Sequence, residues 1–121
     1  MPLLFENKNE NEVQLMKDWA QVRAYTEDIF GRKPDIQGFL YLIGMNELGQ
    51  VREFEKEEKQ DLIHIGMCKI FEGEYYEFEN TDSEGWPHFK ELKPMPPMFI
   101  KIQESTLKQK IVTYFQNYIF E

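Results

Sequence analysis

"PDIQGFLYLIGMNELG", residues 34–49, is the stretch on which the fold turns. Its centre, "FLYLIG", has the apolar content of a buried strand. The apolar segment as a whole is longer than a typical strand of about 4–8 residues, so the length favours a helix. Pro34 suits the first helical position over 34–48, and Gly49 suits a C-terminal cap. A helix this apolar on nearly every face belongs at the centre of a domain, covered on several sides. Gly38 and Gly44 would then let neighbouring helices approach closely.

Upstream, the spacing predicts a helix over about 11–30. Leu15, Trp19, Val22, Thr26 and Ile29 lie along one stripe, and Gly31 supplies a stop. Downstream, a third helix is expected over about 56–71. Ile63, Met67 and Ile70 form its core stripe, with Leu62 and Gly66 beside it. Its solvated start, "EKEEKQD", places acid near the positive helix end. A fourth helix is expected over about 105–120, with Ser105 as N-cap. On that helix Leu107, Ile111, Tyr114, Phe115 and Tyr118 share a face, while Lys108, Lys110 and Gln116 face water.

Between the last two helices the periodicity changes to two. "EYYEFEN" alternates, the polar "NTDSEG" follows, and "WPHFKEL" completes an extended hairpin over about 75–92. The prolines of "KPMPPM", residues 93–98, enforce extended backbone, which reads as a strap over the surface. The expectation is a mainly α, single-domain bundle of about four helices across 1–121, with a small β-hairpin before the last helix.

Charge narrows the partners. The formal net charge is -8 and the pI about 4.8, with no basic run in the chain. Such a surface repels phosphate backbones, so nucleic acid is not an expected partner. No run approaches the roughly 18 apolar residues that span a bilayer, so no membrane is expected either. A single cysteine fits a reducing compartment, and "MPLLFENKNENE" lacks the basic and apolar regions of a signal peptide. These features predict a soluble cytoplasmic protein.

"NTDSEGWPHFKE", residues 80–91, has the rhythm of a calcium loop. Oxygen side chains stand at its first, third and fifth positions, a glycine at the sixth and a glutamate at the twelfth. Such a loop needs a helix on each side, and its flanks read as strand and strap. A hairpin loop with solvated acids is the expectation. Trp86 and Phe89, beside Pro87, read as aromatics that close a core.

Glu57, Asp61, His64 and Cys68 follow helical spacing and share one stripe. His64 and Cys68, one turn apart, can reach a single metal ion with Asp61 as a third ligand, and His88 or Glu47 is available from another element. The same pair also has the makings of a thiol beside its base. The fragment "DLIH" has the carboxylate-x-x-His spacing of di-iron bundles, which need a second such unit that the chain lacks. The bland reading is the boundary of an amphipathic helix, with Cys68 in the core. There is no phosphate-binding glycine loop, nucleophile elbow, CxxC or HExxH, and nothing calls for a cofactor.

From "DLIH" through "YYEFEN" and "GWPHFKEL" to "KQKIVTYF", the second half of the chain resembles small uncharacterised bacterial proteins of Bacteroidetes type. The resemblance implies no activity and assigns no functional residue. Two function classes follow from the residues. The first is a non-enzymatic module that binds a protein partner or a second copy of itself, with Tyr75, Tyr76, Trp86 and Phe89 as interaction candidates among the surplus aromatics. The alternative is a small metal- or thiol-dependent enzyme using His64, Cys68 and His88, with Asp61 as a further ligand.

Overall fold

The computed structural model describes residues 10–95 and 100–120, except for the side chains of 100–103. Four helices, α1 (Glu10–Phe30), α2 (Ile36–Leu48), α3 (Lys56–Ile70) and α4 (Ile100–Tyr118), surround a shared core. A hairpin of β1 (Tyr76–Thr81) and β2 (Pro87–Glu91) precedes α4. The protein is mainly α, as its periodicities predict. No helix among the described residues is long and apolar enough to cross a membrane.

The decisive segment is the central helix. In α2, Phe39, Leu40, Ile43, Gly44, Met45 and Leu48 are buried. Its start corrects one expectation. Asp35, not Pro34, opens the helix, as an extended N-cap whose carboxylate accepts from the Gly38 amide at 2.8 Å. Gly49 closes it in the left-handed region, at φ 76°.

α2 and α3 run antiparallel and touch backbone to backbone. A Cβ on Gly44 would stand 2.1 Å from the Leu62 carbonyl oxygen, and one on Gly66 would stand 2.2 Å from that of Leu40. Gly44 therefore has the role foreseen for it. Gly38 does not: an added Cβ would meet Pro34 and the side chain of Asp35, its own helix start, rather than another helix.

Three stripes also shift. On α1, Val22 and Thr26 are buried, and the Thr26 hydroxyl donates to the Val22 and Arg23 carbonyls, which satisfies it inside the core. Ile29, expected on the same stripe, is exposed because the last turn of α1 runs past its cover. On α3 the buried set is Leu62, Ile65, Gly66, Cys68 and Ile70, while Ile63 and Met67 are only half-buried. The helix is covered by α2 on one side and by the hairpin on another, so its deepest line lies between them. On α4 the helix begins ahead of Ser105, which is an exposed residue within it and not its cap. Among its described side chains Ile111, Val112, Tyr114 and Phe115 are buried, and Tyr118 lies outside.

α4 is fastened to α2 by Tyr114. Its hydroxyl donates to Glu47 Oε2 and accepts from Asn46 Nδ2, each at 2.6 Å. Lys108 lies over the Trp19 ring, and the Tyr25 ring meets those of Phe115 and Phe120, so α1 and α4 run in the same direction. Phe39 of α2 joins the two, packing on Trp19 and on Phe115.

The hairpin pairs Phe78 with Phe89 and Asn80 with His88, leaving Glu79 as a bulge. It sits on α3, with Trp86 and Phe89 packed against the cluster of Met45, Leu48, Phe54, Leu62 and Ile65. Of the expected strap, Met95 packs half-buried against the core and Lys93 lies over the Tyr75 ring. Residues 96–98 lie outside the described residues.

Candidate functional site

The exposed turn of α3 and the hairpin loop face each other across a cleft of about 560 Å³. Helical spacing puts Asp61, His64 and Cys68 on its α3 wall, and the hairpin register puts His88 on the other, so all four proposed ligands line one concavity. They do not meet at a point. No three His, Cys, Asp or Glu side chains among the described residues are arranged to hold one ion.

Each partner has its own local arrangement. Cys68 is 1% exposed, and its Sγ lies 3.4 Å from Nε2 of His64. Burial pushes the thiol up to about 11, away from the thiolate that a nucleophile or metal ligand needs. The His64 ring stands edge-on to Tyr76, whose hydroxyl is also raised by burial. Across the cleft, His88 Nε2 lies 2.9 Å from Asp82 Oδ2. The other oxygen, Oδ1, accepts from the amides of Glu84 and Trp86, at 2.9 and 3.0 Å. The bond to His88, followed by that from the Trp86 amide, holds the Asp82 carboxyl below the usual range.

That use of Asp82 bears on the calcium rhythm. Its carboxylate organises the hairpin turn, with Gly85 at φ 92° behind it. Asn80 stands within β1, and Glu91 pairs with Tyr76 at the opposite end of the hairpin. The elements on both sides of the loop are strands, where a calcium loop has helices.

The interaction candidates are half-buried. Tyr75 packs edge-on against Phe71, and Trp86 against Phe54. Tyr76, Trp86 and Phe89 all contribute to packing at the base of the hairpin. An exposed apolar group stands elsewhere. Ile29 (52% exposed), Phe30 (50%) and Val51 (85%) gather at the end of α1 and the loop after α2. Phe30 and Val51 also border a neighbouring groove with Tyr41, Arg32, Lys33 and Arg52. The signal in the sequence was "IFGRK": two large apolar residues in the last turn of a helix, separated from a basic pair by one glycine. Arg23 also went unnoticed. It is a cation on the core-facing half of α1, and its Nε is buried without a hydrogen-bond partner.

Comparison of the chain with family models, with curated proteins and with solved structures finds no match, so the reading of its function rests on the residues themselves.

Proposed function

We propose that the chain is a non-enzymatic interaction module whose docking surface is the apolar end formed by Ile29, Phe30 and Val51. One observation carries the reading: three large apolar side chains, each at least half exposed, border connected grooves at one end of the fold. Exposed apolar side chains scattered singly need no explanation, whereas a contiguous group with a polar rim marks an interaction surface. The rim carries Arg32, Lys33 and Arg52 beside Asp35; Lys33 pairs with Glu27 at 3.9 Å and Arg52 with Glu58 at 3.0 Å, so Arg32 is the cation that a partner's carboxylate would meet. Charge complementarity therefore selects a partner segment that combines apolar side chains with carboxylates. A second copy of this acidic chain meets that description as well as another protein does.

Affinity capture from the source cells tests the reading, using the unsubstituted chain, Phe30→Glu/Val51→Glu, and Met16→Glu as a control at another exposed apolar position. A partner kept by the first and third and lost by the second is the expected result, with cross-links mapping to an acidic, apolar segment. Sedimentation of the same three proteins identifies the case in which the partner is a second copy. Identical partner sets and identical sedimentation for all three would overturn the reading.

The enzyme alternative has one observation in its favour, the gathering of His64, Cys68 and His88 on a single cleft. The raised thiol and the separation of the ligands weigh against it. Stoichiometric metal in untagged protein, lost in both His64→Ala and Cys68→Ala, would make the enzyme the leading reading.

A further inference from the structure

A second cleft, of about 800 Å³, opens among α1, α2, α3 and the described part of α4. Its walls are largely apolar, with Trp19, Leu40, Ile63, Met67 and Leu107 among them. Small-molecule sites have this character: roughly 300–1,000 Å³, mostly apolar, with a few placed polar groups. The placed group here is Arg23, which lines the cleft and has its Nε buried without any hydrogen-bond partner. A guanidinium stays charged in any protein environment, and a buried N–H without an acceptor is costly. The nearby carboxylates are engaged elsewhere. Asp35 caps α2 through the Gly38 amide, and Glu104 pairs with Lys108 at 3.3 Å.

From this geometry we propose that the cleft binds a small amphipathic carboxylate. Its apolar chain lies along Ile63, Met67 and Leu107, and its carboxylate accepts from the terminal Nη groups of Arg23, since Nε itself presents no surface to the cleft. A carboxylate matches the planar fork of a guanidinium. The charge of the site also sets the charge of the ligand. Lys108 is paired with Glu104 and Asp35 is spent on its cap, which leaves one cation, Arg23, for one singly charged head. This inference does not rest on the docking surface: the cleft shares Pro34 and Asp35 with the groove beside that surface, but none of Ile29, Phe30 and Val51 lines it.

Trp19 in the cleft wall provides the readout. The chain has two tryptophans, so Trp86→Phe leaves Trp19 as the sole reporter. Octanoate and 1-octanol are titrated into that protein while Trp19 emission is followed. The expected result is saturation by octanoate below about 1 mM, a modest demand for a ligand of that size. Octanol, which lacks the charge, is expected to bind about tenfold or more weakly, the loss of a charge-assisted hydrogen bond. Arg23→Gln is expected to bring octanoate down to the level of octanol while leaving octanol unchanged. Equal affinity for the two ligands, or no saturation by octanoate, would overturn the proposal without need of the Arg23 variant. So would an octanoate preference that survives Arg23→Gln in a folded protein, as verified by its circular dichroism.

Discussion

Replacing Gly44 with alanine is expected to destabilise the protein by about 1–2 kcal/mol, although alanine is the better helix former. Two opposing effects meet at this position. Alanine in place of glycine within a helix gains roughly 0.8–1.0 kcal/mol of propensity. The new Cβ, however, would stand 2.1 Å from the Leu62 carbonyl oxygen, and ordinary contact begins near 3.4 Å. The opposing atom is backbone, so no rotamer change relieves the clash, and α2 and α3 must part by about 1 Å. Overpacking of this kind costs typically about 1–3 kcal/mol and sometimes more. Parting the helices also loosens Leu40 and Leu62, both almost fully buried, so the upper part of that range applies. A domain of this size has a total stability of roughly 6–18 kcal/mol, so the variant still folds and can be measured. Urea unfolding followed by helical circular dichroism is the assay. With a slope of about 1–3 kcal/mol per molar, the midpoint is expected to fall by roughly 1 M with the slope unchanged. Gly66→Ala, facing Leu40 from the other helix, should behave alike. The double variant should cost less than the sum, because one separation relieves both clashes. A midpoint that stays put or rises in Gly44→Ala would refute the backbone-contact argument.

Three further outcomes follow. Tyr114→Phe removes the bonds to Glu47 and Asn46 and is expected to cost about 1–2 kcal/mol by the same unfolding assay. Cys68 should resist alkylation at neutral pH until urea unfolds the chain, and Cys68→Ala should cost about 1 kcal/mol. Because folding raises the thiol from 9.0 to about 11, its stabilising contribution is complete below pH 9 and disappears as pH rises towards 11. Stability measured across that interval should therefore fall more steeply in the unsubstituted protein than in Cys68→Ala. Calorimetric titration with calcium should show no binding tighter than about millimolar, since the loop at 80–91 joins strands and Asp82 is committed to the turn. Micromolar binding abolished by Glu91→Gln would contradict that reading.

What the sequence disclosed, and what it hid, follows from how local the governing interactions are. The helical nature of 36–48 was legible from the length of its apolar run, and the hairpin from a period of two beside a polar turn. The start of α4 was not, because Ser105 has the chemistry of a cap and nothing local says that the helix has already begun. The depth of Ile63 and Met67 was misjudged for a tertiary reason: a helix covered on two sides buries the line between its covers, which its own periodicity does not identify. The spacing of Asp61, His64 and Cys68 correctly placed them on one wall, and only the folding of the hairpin brought His88 opposite. The spacing could not report that burial would suppress the thiol. Ile29 carried a misleading signal, since it continues the stripe of Val22 and Thr26 beyond the point where any neighbour covers it.

Because α1 and α4 run in the same direction, no short turn can join them, and their seam is made of residues about 90 positions apart, such as Trp19 with Lys108 and Tyr25 with Phe115. Antiparallel α2 and α3 can close early over the loop between them, whereas the α1–α4 seam is among the last contacts to gain anything from loop closure. During synthesis the consequence is a matter of time. At about 5–20 residues per second, several seconds separate the appearance of Phe39 from that of Phe115, which covers it. For that interval the apolar centre of the molecule stands open, and its exposure to chaperones is set by the ribosome's pace rather than by the folding rate.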